Sequence, residues 1–187
     1  PEVLVTTDWV QANLANSGVR LVEVDVDTQA YDAGHIPGAV GFNWQTELQD
    51  RLTRDIVSKE AFEALLSRSG VSNDHAVVLY GDHSNWFAAY AFWLFKMYGH
   101  ADVRLMNGGR AKWLGEKDRP LTAERPSFVA TRYRAAAPDA SLRARVAEVL
   151  AASSRGGAQL VDVRSPDEFT GKVIAPPGMT ETAQRGG

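Results

Sequence analysis

Apolar and polar positions along this chain change period several times, and each change marks an element. Trp9, Val10 and Leu14 share a helical face behind Thr7-Asp8, and Asn16-Ser17-Gly18 breaks the pattern, which predicts a short capped helix. Leu21-Val22-Glu23-Val24-Asp25-Val26 then reads as a buried strand whose end delivers acidic groups to a loop. From Tyr31 to Gly41 the chain is punctuated by Gly34, Pro37 and Gly38, which predicts a loop rather than regular helix. Ser58 opens a second helix with Phe62, Leu65 and Leu66 on one side, closed by Ser69-Gly70. Ala76-Val77-Val78-Leu79-Tyr80 is the clearest strand, followed by Gly81-Asp82-His83-Ser84-Asn85. Trp86 to Tyr98 is apolar on nearly every side and stops at Gly99, so this helix is expected to lie buried between layers. Val103 to Met106 predicts another short strand, and Asn107-Gly108-Gly109 turns the chain into a segment carrying Trp113.

Strands alternating with helices predict an α/β fold with a mostly parallel central sheet and helices on both faces. Beyond Gly115 the periodicity fails, and three prolines with scattered charges predict a connecting segment lying along a surface. Ser141 then reads as the cap of a helix carrying Leu142, Val146, Val149 and Leu150, closed by Gly156-Gly157. Leu160-Val161-Asp162-Val163 reads as a strand. Leu160 stands 139 positions after Leu21, and the order of elements around the two is the same, which indicates a duplicated domain. The expected organisation is a complete domain over 1–120, a linker over 121–138 and the start of a second copy over 139–187. That last stretch is too short to complete a sheet or a core.

Composition narrows the function classes. An apolar share of 44% with 23% charged residues suits a soluble globular protein rather than a disordered or fibrous one. The net charge of -3 supplies no basic field, so nucleic acid is not an expected partner. The longest apolar stretch, Trp86 to Phe95, falls short of the roughly 20 residues a membrane helix needs, so no membrane partner and a cytoplasmic location are expected. The chain contains no cysteine, which removes disulfides, thiolate metal sites and any thiol nucleophile from these residues. His75, His83 and His100 stand singly without a carboxylate at ligand spacing, so no metal and no cofactor are expected.

Three motifs carry a resemblance. Leu21-Val22-Glu23-Val24-Asp25 followed by Tyr31-Asp32-Ala33-Gly34-His35-Ile36-Pro37-Gly38-Ala39 is the first, with His35 read as a hydrogen-bonding loop anchor. The second is Val77 to Asn85, and the third is Leu105-Met106-Asn107-Gly108-Gly109-Arg110-Ala111-Lys112-Trp113, where Trp113 reads as a core plug. Together they resemble the rhodanese (thiosulfate sulfurtransferase) family in its tandem two-domain form, over essentially the whole chain. The resemblance implies that Gly81, Asp82, His83, Ser84 and Asn85 form a degenerate active-site loop, standing where active copies carry a cysteine. A carboxylate cannot form and release a persulfide, so this copy is expected to be catalytically silent, with no catalytic residue in the chain. Thiosulfate and a thiophilic acceptor such as cyanide would then be handled by the second domain. Arg164 is implied as an anion or interface contact, and Glu168 stands where some members carry another arginine. Self-association through the exposed interdomain face is expected of the chain alone.

Three other readings compete. A non-enzymatic rhodanese-like module would use the silent loop to bind a partner. Asp82 follows a strand at a helix start, as a phosphoryl-accepting nucleophile would, but no supporting lysine motif appears. Ser84 lacks the glycine flanks of a nucleophile elbow and reads better as a helix cap.

Overall fold

The computed structural model of the chain describes residues 2–156 and 158–173. The chain divides into two compact units, Pro1–Leu142 and Arg143–Gly187.

The first unit is built on five parallel strands, β1 (Leu4–Val5), β2 (Val19–Asp25), β3 (Val40–Asn43), β4 (Ala76–Tyr80) and β5 (Val103–Met106), in the order β1-β5-β4-β2-β3. Parallel neighbours need long crossovers, and these supply the helices α1 (Thr7–Ala12), α2 (Gln29–Ala33), α3 (Trp44–Glu47), α4 (Lys59–Arg68), α5 (Asp82–Met97) and α6 (Gly109–Gly115). Successive side chains of a strand point to opposite faces, and β2 shows the consequence. Val22 and Val24 join one core with Phe62, Leu65 and Leu66 of α4 and Ala88, Ala91, Leu94 and Phe95 of α5. Leu21 joins the opposite core with Val10, Val78, Tyr80, Met106 and Trp113. Helices therefore cover both faces of a parallel α/β sheet.

Several local readings are corrected. The first helix is capped by Thr6, whose hydroxyl accepts the Trp9 N–H at 3.1 Å, and it ends before Leu14 because the Asn13 side chain donates back to the Trp9 carbonyl. The segment expected to be loop from Tyr31 opens inside α2, because the Asp27 carboxylate orders the Gln29 N–H ahead of the turn. β3 was not legible at all: Gly41 interrupts its apolar run, and the strand forms because β2 offers it an open edge. Residues 116–142 run irregularly along the first unit and are tied to it. Thr122 pairs with His35, the Ala136 N–H donates to the Tyr98 carbonyl, and Tyr133 is buried.

In the second unit, α7 spans Val146–Arg155 and α8 spans Pro166–Phe169. Ser141 does not cap α7. Its N–H and hydroxyl both donate to Asp139, which closes a single 3-10 turn at Ala140–Leu142, and α7 starts behind Arg145, whose backbone N–H donates to the Glu148 carboxylate at 2.7 Å. Leu160 to Val163 is not a strand, since among the described residues no neighbour pairs with it. Val161 and Val163 are exposed. Gly157, expected in the stop after α7, lies outside the described residues, as does everything from 174 onward.

Candidate functional site

The chain leaves β4 at Tyr80 and passes through Gly81 into the first turn of α5. His83, Ser84 and Asn85 sit there in left-handed backbone (φ 49°, 56° and 66°), so regular helix begins only after them. Three such non-glycine residues in succession persist only where the surroundings hold them. Three side-chain contacts do so. Asn85 Oδ1 accepts the Gly81 N–H at 3.0 Å, and its amide donates to the Met106 carbonyl at 2.7 Å. Asp25 Oδ1, at the end of β2, accepts the Asp82 N–H at 2.7 Å.

Close backbone approach completes the loop. A Cβ on Gly81 would lie 2.3 Å from the Val24 carbonyl oxygen, and one on Gly109 would lie 2.5 Å from Asn85 Oδ1. Gly109 also has φ +59°, so glycine is required there for conformation as well as space. These two positions clamp the loop between β2 and the start of α6.

Beneath the loop lies a buried charged cluster. Period-two geometry puts Glu23 and Asp25 on the face of β2 that carries Leu21, and Glu23 pairs in register with Tyr80 of β4. Arg110, near the start of α6, enters from above. Its Nη1 donates to Glu23 Oε1 at 2.6 Å, its Nη2 to the carbonyls of Ala30 (2.9 Å) and Gly34 (2.5 Å), and its Nε stands 3.7 Å from Asp82 Oδ1. Burial pushes the Glu23 carboxyl up to about 7, against the opposing pull of the Tyr80 hydroxyl and Arg110. Asp25 is raised by the same cause, resisted by the Asp82 N–H. Asp82 itself is partly open to solvent.

The five loop residues named from the sequence are thus contiguous, but their roles differ from expectation. Ser84 does not cap α5, because it lies within the left-handed run. Asn85 supplies the side chain that ties the loop instead. His83 meets Phe87 edge-on at 5.9 Å between ring centroids. His35 anchors the segment after α2: its ring stacks on Tyr31 and bonds to the Tyr31 and Glu124 carbonyls. Trp113 is buried in the core. Arg164 belongs to the second unit, where its guanidinium grips Asp162 through Nε at 2.9 Å and Nη2 at 2.5 Å. The Glu23, Asp25, Tyr80 and Arg110 ensemble was missed as a unit. The available signal was a pair of acids two residues apart on a strand read as buried, which demands a cation nearby.

Among the described residues no group of three or more His, Asp or Glu is arranged to hold a metal ion. No helix there is long and apolar enough to cross a membrane.

A parallel α/β domain with a strand-to-helix loop clamped by glycines and lying over a buried acid–arginine cluster is a narrow class. Residues 6–116 match the rhodanese-like domain family, and the chain belongs to it. A Haloferax volcanii protein whose name gives thiosulfate sulfurtransferase as its expected activity is 55% identical over 191 residues, covering 100% of this chain and 66% of that protein. The sulfur carrier protein TtuD of Thermus thermophilus is 53% identical over 180 residues, covering 95% of this chain and 63% of TtuD. The crystal structure of SseA from Escherichia coli, described as a 3-mercaptopyruvate sulfotransferase, superposes with a TM-score of 0.81 at 24% identity. It covers 93% of this chain and 70% of SseA, and it shows the shared fold. The chain thus spans about two thirds of the length of these curated relatives.

Proposed function

We propose that this chain is the noncatalytic N-terminal part of a thiosulfate:cyanide-type sulfurtransferase. Its residues 1–120 form the silent domain, 121–138 the linker, and 139–187 the start of the second copy. The observation that carries the reading is chemical: the loop presents Asp82 at the strand-to-helix junction, and the sequence has no thiol anywhere. A carboxylate above two further acids repels a dianionic donor and cannot carry sulfane sulfur. In the parent protein a thiolate of the second repeat would attack the outer sulfur of thiosulfate, forming an S–S bond and releasing sulfite. Cyanide attack on the outer persulfide sulfur would then release thiocyanate and restore the thiolate. Arg164 is the cation we assign to the donor anion or to the domain interface in that complete protein. Trp86, 60% exposed and stacked on Phe87 beside the loop, gives the isolated chain an apolar surface through which it would self-associate.

The test is thiocyanate production from thiosulfate and cyanide. The purified 187-residue chain is expected to give none above a protein-free blank, while the gene product extended past Gly187 turns over. Turnover by the chain itself would sink the noncatalytic assignment. An extension without a cysteine would favour the binding-module reading instead.

A further inference from the structure

We propose that Glu23 and Asp25 share a single proton that is held in mild acid and released around neutral pH, and that this proton sets the geometry of the Gly81–Asn85 loop. The inference stands apart from any assignment of sulfur chemistry.

The argument is an accounting of donors and acceptors. Glu23 is 1% exposed and Asp25 3% exposed. Of their four carboxylate oxygens, Glu23 Oε1 accepts from Arg110 and Asp25 Oδ1 accepts from the Asp82 N–H. The other two, Glu23 Oε2 and Asp25 Oδ2, are buried without a hydrogen-bond partner. Such orphans are rare in folded proteins and call for an explanation.

No neighbouring donor can supply both. Arg110 has committed its guanidinium to Glu23, Ala30 and Gly34, with Nε facing Asp82. The Tyr80 hydroxyl accepts the Ile36 N–H and interacts through its own hydrogen with Glu23. The Tyr31 hydroxyl donates to the Ala39 carbonyl. Charge leads to the same place, since Glu23 and Asp25 from β2 and Asp82 from the loop face one guanidinium from α6. Ionised together they would leave two uncompensated negative charges, mostly out of water.

One proton resolves the first difficulty and halves the second, leaving one excess charge that the partly exposed Asp82 can share with water. Placed on Glu23 Oε2 and donated to Asp25 Oδ2, it satisfies the two orphans in a single carboxyl–carboxylate bond. The two side chains lie within reach of such a bond, and burial favours the protonated form of each. Asp25 keeps its charge in this arrangement and goes on accepting the Asp82 N–H. Loss of the proton would put two carboxylates face to face, and the contact of Asp25 that this repulsion would disturb is its hydrogen bond from the Asp82 N–H.

Carboxyl-carbon and amide resonances of the 187-residue chain, followed from pH 5 to pH 9, test this directly. The Glu23 side-chain carbon and the Asp82 amide are expected to titrate together with a midpoint near 7. In Glu23→Gln the side-chain amide replaces the proton as donor to Asp25, so the Asp82 amide should stay flat at its low-pH position. The proposal is overturned if wild-type Glu23 titrates below pH 5, or if the Asp82 amide ignores the titration. The wild-type curves decide the matter even if the variant does not fold.

Discussion

Leu21-Val22-Glu23-Val24-Asp25 and Leu160-Val161-Asp162-Val163-Arg164 share one pattern, yet the first is the last five residues of a strand and the second is exposed chain that pairs with no strand among the described residues. The difference lies in neighbours. β2 pairs with β3 on one side and β4 on the other, and its alternate residues enter two cores. Among the described residues the second segment has no strand to pair with, so the same period-two pattern has no sheet to serve. The acids diverge in the same way. Glu23 is buried and must recruit Arg110 from 87 positions away, whereas Asp162 is exposed and pairs with Arg164 two residues on. Pattern specifies which face a residue would take; strand formation requires partners.

The sharpest way to break this comparison is to remove each segment's cation. Arg110→Ala would leave Glu23 and the carbonyls of Ala30 and Gly34 without their donor. Breaking a buried pair from one side costs about 3–5 kcal/mol, and urea unfolding of the first unit should register a loss of that order. Arg164→Ala touches only an exposed pair and should leave the unfolding midpoint where it is. Equal effects would mean that burial does not separate the two segments energetically.

A smaller effect should appear with pH. The folded-state Glu23 carboxyl lies near 7, above its ordinary 4.5, so the native state binds the proton more tightly than the unfolded chain. Its contribution is present in full below about pH 4.5 and is lost as pH rises toward 7, amounting to about 3 kcal/mol over that window. Asp162 has the opposite sense: the Arg164 hydrogen bonds hold its carboxyl down at about 2, so any contribution would fade only in strong acid. Chemical unfolding between pH 5 and 7.5 should therefore show stability falling with rising pH in the wild type, and a flatter profile in Glu23→Gln. A wild-type profile that rises through the window would contradict the raised carboxyl.

How far the sequence disclosed this structure follows from the same distinction. β4, α4 and β5 are legible because their residues report their own surroundings: Ser58 caps α4 in place, and Ala76 to Tyr80 are apolar because both faces are covered. α5 is legible as a helix, but its expected burial on every side fails at Trp86, which is 60% exposed. β3 is invisible because its strand character comes from the open edge of β2 rather than from Val40 to Asn43. Loop 81–85 is legible as a loop through Gly81, and its family place through the motifs around it. Its left-handed run is not, since His83, Ser84 and Asn85 have no local reason to adopt it; contacts with Asp25, Met106 and Gly109 hold it. The acid–arginine cluster is half legible. Glu23 and Asp25 announce a need for compensation, but topology alone brings Arg110 to them.

The smallest effect isolates packing from charge altogether. Val24 and Val163 occupy the same place in the two segments, one fully buried and the other 90% exposed. Val24→Ala removes two methyl groups from a core shared with α4 and α5, and the lost burial together with the residual cavity should cost about 2 kcal/mol. Val163→Ala removes the same atoms from water and should stay within about 0.5 kcal/mol of wild type. Val24 also loses β-propensity within its strand, a term that Val163 outside any strand lacks, so the difference between the variants reports burial together with that smaller contribution. Paired urea titrations at one pH would measure it. Equal losses at the two positions would show that Val163 is covered in solution, and the segment would then have found the neighbours that make β2 a strand.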